Sequence, residues 1–360
     1  MYFVMYDRFL KSIGETYILE SWSHVKRAVD FDDIKITGEQ VPYSADPFLV
    51  VVNNRQGKLV FSGLASTPVM DDKSKKTTIS LKDYATLFNT EIVVDWASFI
   101  GSTVAQYLQF VLSTWIAQTD VGLPDIKWDV SALTDILLDT EIPLGEGKEN
   151  VSVHTLVFDA INYYNLYYET ILDLRNKRLT FTFKRAALRS VSVKLKDFDI
   201  NSVEKSFGEY NRAVVYNHDY SVHSRWALTT DNSVVKVASS SDNLVYPGKV
   251  RNFISSYEEP DGEVDNPTEE NQKKMNALYD ALYDAIMGLA KNRYQENIDL
   301  NAQKYKSIVD MSTVDFSYVV AVYTEEGFYR NLPVGEIETD SKGKHIVRLG
   351  YRIQELTQEI

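Results

Sequence analysis

The side chains of this 360-residue chain that could do chemistry are few and scattered. Of five histidines, His218 and His223 form the one close pair, with Asp219 between them in SFGEYNRAVVYNHDYSVHS. A protein zinc site takes three or four ligands at tight spacing, and a helical histidine pair sits at i and i+4. His218 and His223 have neither that spacing nor a third ligand, so they are weak metal candidates whose plainer reading is turn or surface histidines. His24, His154 and His345 stand alone and read as packing or surface residues.

The absence of cysteine removes thiolate catalysis, zinc thiolate centres and disulfides together, and favours synthesis in a reducing cytosol. Glycosidase chemistry needs two carboxyls roughly 5–10 Å apart across a cleft, one with a raised pKa. Glu258/Glu259 and Asp71/Asp72 are instead adjacent acids in polar loops, where both members stay ionised. Gly145-Glu146-Gly147 lacks the strand-to-helix context of a phosphate loop and reads as a turn. Ser62-Gly63 is no nucleophile elbow. The expectation is therefore a non-enzyme with no catalytic residue and no cofactor.

The elements around these residues are mainly strands. The stretch FLVVVNNRQGKLVFSGLASTPVMDDKSKKTTISLKDYATLFNTEIVV, residues 48–94, reads as strand, tight turn at Asn54-Arg55-Gln56-Gly57, strand, a third strand at Thr77–Leu81, a helical turn and a closing strand. Residues 1–47 alternate with a period near two, so 1–96 forms a first β-barrel. Beyond Asp95, Thr103 and Gln106 make a capping box ahead of Val104, Leu108, Val111, Leu112, Trp115 and Ile116 at helical spacing. A second helix follows Asn150, and 166–183 is a hairpin, so 97–200 is an α+β unit of two helices plus hairpin. Residues 201–256 and 295–360 form a second β-barrel.

That second barrel is interrupted by 257–294, an acidic loop followed by a helix. Seven carboxylates between Glu258 and Glu270 come without a Lys or Arg, and Asn266-Pro267 starts a helix to about Arg293. The insertion is expected to project as an element of its own. The fold class is thus α+β, mainly β: two small antiparallel β-barrels, an α+β domain between them and a helical insertion in the second.

Composition limits the function. The chain holds 38 Lys and Arg against 51 Asp and Glu, a net charge of −13. Grip on nucleic acid comes chiefly from cations on phosphates, so this balance argues against DNA binding but not against DNA sliding past. No apolar run approaches the roughly 20 residues of a membrane span, so no membrane anchor is expected. The 23 tyrosines suit protein-protein surfaces or strand faces.

Four segments, in order, carry a family likeness: LVFSGLASTPVMDDKSKKTTISLKDYATLFNTEIV, NVSVHTLVFDAINYYNLYYETILDLRNKRLTF, SFGEYNRAVVYN and VGEIETDSKGKHIVRLGYRI. With barrel, α+β unit and interrupted barrel in that sequence, the chain resembles the baseplate hub family of tailed bacteriophages. The same fold opens their tail-associated lysins, and the likeness is to short hubs without a lytic extension, such as those of phages of lactococci and related Gram-positive hosts.

The resemblance implies a homotrimeric ring at the virion tail tip, made in the cytoplasm of the bacterial host. Two similar barrels per chain would match a six-fold tail to a three-fold tip and close or line the DNA channel before ejection. Implied partners are the distal tail protein ring, the tail tube and tape-measure proteins, receptor-binding proteins through the baseplate, and DNA in transit without specific binding. Two readings of other classes stay open, a tail-tip cell-wall hydrolase and a β-rich carbohydrate-binding or adhesion protein.

Overall fold

In the computed structural model, the described residues are 1–28, 31–42, 44–119, 125–139, 144, 147–186, 188–206, 209–229, 234–238, 249–255, 269–291, 295–301 and 311–350. The first barrel uses β1 (Tyr2–Tyr6), β2 (Ser12–Arg27), β3 (Asp33–Glu39), β4 (Leu49–Asn53), β5 (Leu59–Ala65), β6 (Val69–Asp71) and β7 (Lys76–Lys82). Six of them close in the order β1-β4-β5-β7-β3-β2 and back to β1, and β6 lies beside β7. Alternation explains the lining: Phe3 and Met5, Ile34 and Ile36, and Ile79 and Leu81 all turn inward.

Strand β4 departs from that alternation because both of its faces are covered. Val50 and Val52 fill the barrel, whereas Leu49 and Val51 pack outward into the neighbouring core. A strand buried on two sides reads as a continuous apolar run, and LVVV is that run. Gly38 on β3 lies against β2, where a Cβ would stand 2.4 Å from the Ile18 carbonyl oxygen.

The next unit holds β8 (Glu91–Asp95), α1 (Val104–Gln118), β9 (Asp125–Asp129), β10 (Lys148–Ser152), α2 (Val153–Tyr163), β11 (Leu166–Asp173) and β12 (Arg178–Arg185). Expected to close the first barrel, β8 instead pairs with β10, since Ile92 and Val94 belong to the core of this unit. The Thr103/Gln106 capping box forms as the sequence indicates, and the Ser152 hydroxyl caps α2. Both helices pack on the sheet β11-β12-β9, with Phe88 between Trp115 and Phe181 at ring separations of 5.0 and 4.8 Å.

Strands β13 (Arg189–Lys194), β14 (Asp199–Ser206), β19 (Gln295–Asn301), β20 (Tyr318–Thr324), β21 (Gly327–Asp340) and β22 (His345–Leu349) build the second barrel in the order β13-β20-β21-β22-β19-β14. The α+β unit was expected to run to residue 200, but β13 pairs with β20, in parallel, and Val193 joins the second core. Its outer strands β13 and β14 follow each other through residues 195–198, and no ladder pairs them among the described residues, so this barrel wraps its core without closing.

Between β14 and β19 lie β15 (Arg212–Tyr216), β16 (Val222–Leu228), β17 (Val234–Lys236), β18 (Val250–Ile254) and α3 (Glu269–Lys291). These strands were expected in the second barrel; they form a separate sheet, β17-β16-β15-β18, against which α3 packs. The reason is the apolar stripe of α3: Leu278, Ala285, Ile286 and Leu289 bury themselves on Ala213, Val215 and Trp226. The acidic loop, including Glu258 and Glu259, and the Asn266-Pro267 helix start lie outside the described residues.

Candidate functional site

The two barrels are joined edge to edge. The last five residues of the long strand β2 pair with β21, from Ser23 opposite Asp340 to Arg27 opposite Glu336, so one sheet of thirteen strands runs through both barrels. Ala28 N–H continues the ladder to the Gly335 carbonyl at 3.0 Å, and Ser341 N–H reaches the Trp22 carbonyl at 2.9 Å.

Charged side chains cross this seam in one connected network. Arg27 of the first barrel donates to Glu336 of the second at 3.2 Å, and also to Asp33 at 2.7 Å and the Phe31 carbonyl at 2.7 Å. On the other side of Glu336, Arg348 holds it at 2.5 Å and grips Asp299 with two parallel bonds of 2.5 and 2.8 Å. Glu336 and Asp299 are buried, and a buried carboxylate is tolerated only when paired and hydrogen-bonded, which the two guanidinium groups accomplish.

A second polar chain starts beside the first. His24 Nε2 lies 2.9 Å from Asp32 Oδ2, while Asp32 Oδ1 accepts the Arg27 N–H at 3.0 Å. Asp83 lies behind Asp32 and accepts the Ala85 N–H and the Tyr168 hydroxyl, each at 2.8 Å. Burial, reinforced by the Asp32 charge, pushes the Asp83 carboxyl up to about 7. Around these groups opens a cleft of about 670 Å³, walled by His24 and Asp83 from the first barrel, Tyr168 and Glu169 from the α+β unit, and Asp315 and His345 from the second barrel.

Of the groups weighed in the sequence, His24, His345 and Ser62 line this cleft, whereas His218, His223, Asp71 and Asp72 are not part of its lining. His218 occupies the exposed turn between β15 and β16, and His223 lies half-buried on β16. No group of three or more potential metal ligands gathers among the described residues. Asp71 is fully exposed, with its pKa lowered by bonds from Ser74 and Lys73, and Asp72 pairs with Lys75 at 4.0 Å. Ser62 lines the seam cleft, where its hydroxyl oxygen accepts the Tyr84 hydroxyl at 2.8 Å. Gly147 takes a φ of +70°, and Gly145 and Glu146 lie outside the described residues.

Reading the sequence missed the seam itself, because Arg27 and Glu336 are remote in the chain. One local signal exists: Glu336 and Arg348 interrupt two apolar strands and face each other across the β21–β22 hairpin. Exposed apolar side chains remain on both barrels, Phe9, Ile18 and Val69 on the first and Phe328 and Tyr329 on the second.

No family model matches the chain, and no curated protein matches it. Among solved structures it is similar to a tail protein of Neisseria meningitidis (12% identity, TM-score 0.48, covering 97% of this chain and 96% of that one). It is likewise similar to the 43 kDa tail protein of prophage MuSo2 from Shewanella oneidensis (13%, TM-score 0.48, 97% and 97%). A third such structure is the prophage tail protein gp18 of Listeria monocytogenes (11%, TM-score 0.49, 98% and 95%).

Proposed function

We propose that this chain is the structural hub of a bacteriophage tail tip, a ring of three copies that joins a six-fold tail to a three-fold tip. The observation that carries the proposal is the seam: β2 and β21 hold a closed six-stranded barrel and a second, open six-stranded barrel side by side in one chain. Three copies in a closed ring then present six barrels in alternation, and a six-fold partner meets a similar wall at each position. Ring closure requires a heterologous contact between the first barrel of one copy and the second barrel of the next. Phe9, Ile18 and Val69 on one side and Phe328 and Tyr329 on the other are the apolar groups available for it.

In this reading the distal tail protein ring, the tail tube and the tape-measure protein meet one face, and receptor-binding proteins reach the hub through the baseplate. The ring lines the channel or closes it until ejection. At −13 per chain it repels passing DNA. The role is structural, and the proposed location is the virion tail tip after synthesis in the host cytoplasm. Negative-stain images of the purified chain test it: three-fold rings with six peripheral lobes are expected. A uniform field of single particles, unchanged by adding a distal tail protein, would overturn it.

A further inference from the structure

Away from the seam, a cavity of about 430 Å³ opens between the α+β unit and helix α3. Its size falls in the range of small-molecule sites. Four of its walls are aromatic: Trp96, Tyr107, Tyr279 and Tyr283. Trp96 and Tyr107 are buried and stack with an interplanar angle of 5°, and the indole N–H donates to Glu149 at 2.9 Å. The ring positions are thus fixed by packing and a hydrogen bond before anything binds.

From the opposite side, Tyr279, Asp280 and Tyr283 come from consecutive turns of α3. The Tyr283 hydroxyl donates to the buried Asp159 at 2.7 Å, and the other oxygen of Asp159 meets Lys291 at 2.8 Å. That lysine compensates Asp159. Asp280 has no such cation among the described residues, and its carboxyl is pushed up by burial and by the neighbouring Asp284. The described lining includes Glu149 and Asp280 but no lysine, arginine or histidine.

We propose that this cavity binds a quaternary ammonium group. Aromatic faces attract a cation through their quadrupoles, most strongly where water is excluded, and alkyl substituents on nitrogen suit apolar walls that an ordinary hydrated ammonium would not. Asp280, with no cation in the described lining, supplies the charge complement. The inference is independent of the hub reading, since neither barrel seam nor ring closure enters it.

The test uses the full chain and choline chloride as probe, followed by tryptophan fluorescence against sodium chloride at equal ionic strength. A saturable change is expected. The uncharged isostere 3,3-dimethylbutan-1-ol should bind about 3- to 30-fold more weakly, the worth of one cation–π contact. Asp280→Asn and Tyr279→Ala should each weaken choline by a similar factor, with melting temperatures reported alongside to show that the fold persists. No saturable response, equal binding of the neutral isostere, or binding indifferent to both folded variants would overturn the proposal.

Discussion

The Tyr168 hydroxyl of the α+β unit donates to Asp83 of the first barrel at 2.8 Å, directly behind the Asp32–His24 pair at the barrel seam. Asp83 meanwhile caps the short helical turn Tyr84–Phe88 through the Ala85 N–H. One buried carboxyl therefore fixes a local turn and a contact between two units.

Its titration gives a signed prediction. The folded-state pKa of Asp83 is raised to about 7, by burial first and the Asp32 charge second. Its unfolded value is near 3.9. The folded chain then holds a proton that the unfolded chain releases, so this contribution to stability is complete below about pH 4, declines as pH rises, and is lost above about pH 7. Asp83→Asn mimics the protonated form at every pH. The melting temperature of the unsubstituted chain minus that of Asp83→Asn should fall steadily from about pH 4 to pH 8. A difference independent of pH would contradict the assignment.

Arg348 pairs at once with Asp299 and Glu336, both buried. Replacing it by alanine takes from both buried carboxylates the guanidinium they share. Removal of one partner from a buried ion pair costs about 3–5 kcal/mol. Urea unfolding of Arg348→Ala should show a loss of that size with an unchanged slope, and a loss under about 1 kcal/mol would reduce the pair to surface character.

Gly38 faces the backbone of β2 with no room for a side chain. A methyl group there meets the Ile18 carbonyl oxygen at 2.4 Å and the Phe3 ring at 2.8 Å. Backbone cannot move aside as a flexible side chain would, so Gly38→Ala should destabilise by about 1–3 kcal/mol or more. Thermal denaturation checks it, and an unchanged midpoint would mean that the barrel yields at this position.

The unit between β14 and β19 has its own core, and those two strands pair with each other from Asp199–Asn301 to Ser206–Gln295. Replacing the intervening residues by a tight turn should therefore leave both barrels folded. The excision removes Tyr283 and Lys291, the α3 partners that hold Asp159, and opens its carboxylate to water. Adding Asp159→Ala to the excised chain should therefore change its stability by no more than about 0.5 kcal/mol. Collapse of the whole protein in both versions, seen by circular dichroism, would contradict the independence of the unit.

Local signals made most elements legible in the sequence. Alternation marked the first-barrel strands, and Thr103 with Gln106 marked the start of α1. What escaped was partnership between strands. Ile92 and Val94 say that β8 is half-buried, but not whether its partner is the barrel or β10. Likewise Ala213 and Val215 fit a barrel wall as well as the sheet beneath α3. The seam was less legible still, because a long-range ion network leaves only single charges such as Glu336 and Arg348 in otherwise apolar strands. Nothing within a few residues of either names its partner.

The central claim is a ring of three chains, and the most direct test is the mass in solution, by light scattering after gel filtration at several concentrations. The account predicts a species three times the chain mass of 41.1 kDa that takes up a ring of distal tail protein when one is supplied. It also predicts that Phe328→Asp, on the exposed β21 hairpin, shifts that species toward the monomer. A monomer at every concentration, with and without the partner ring, would contradict it.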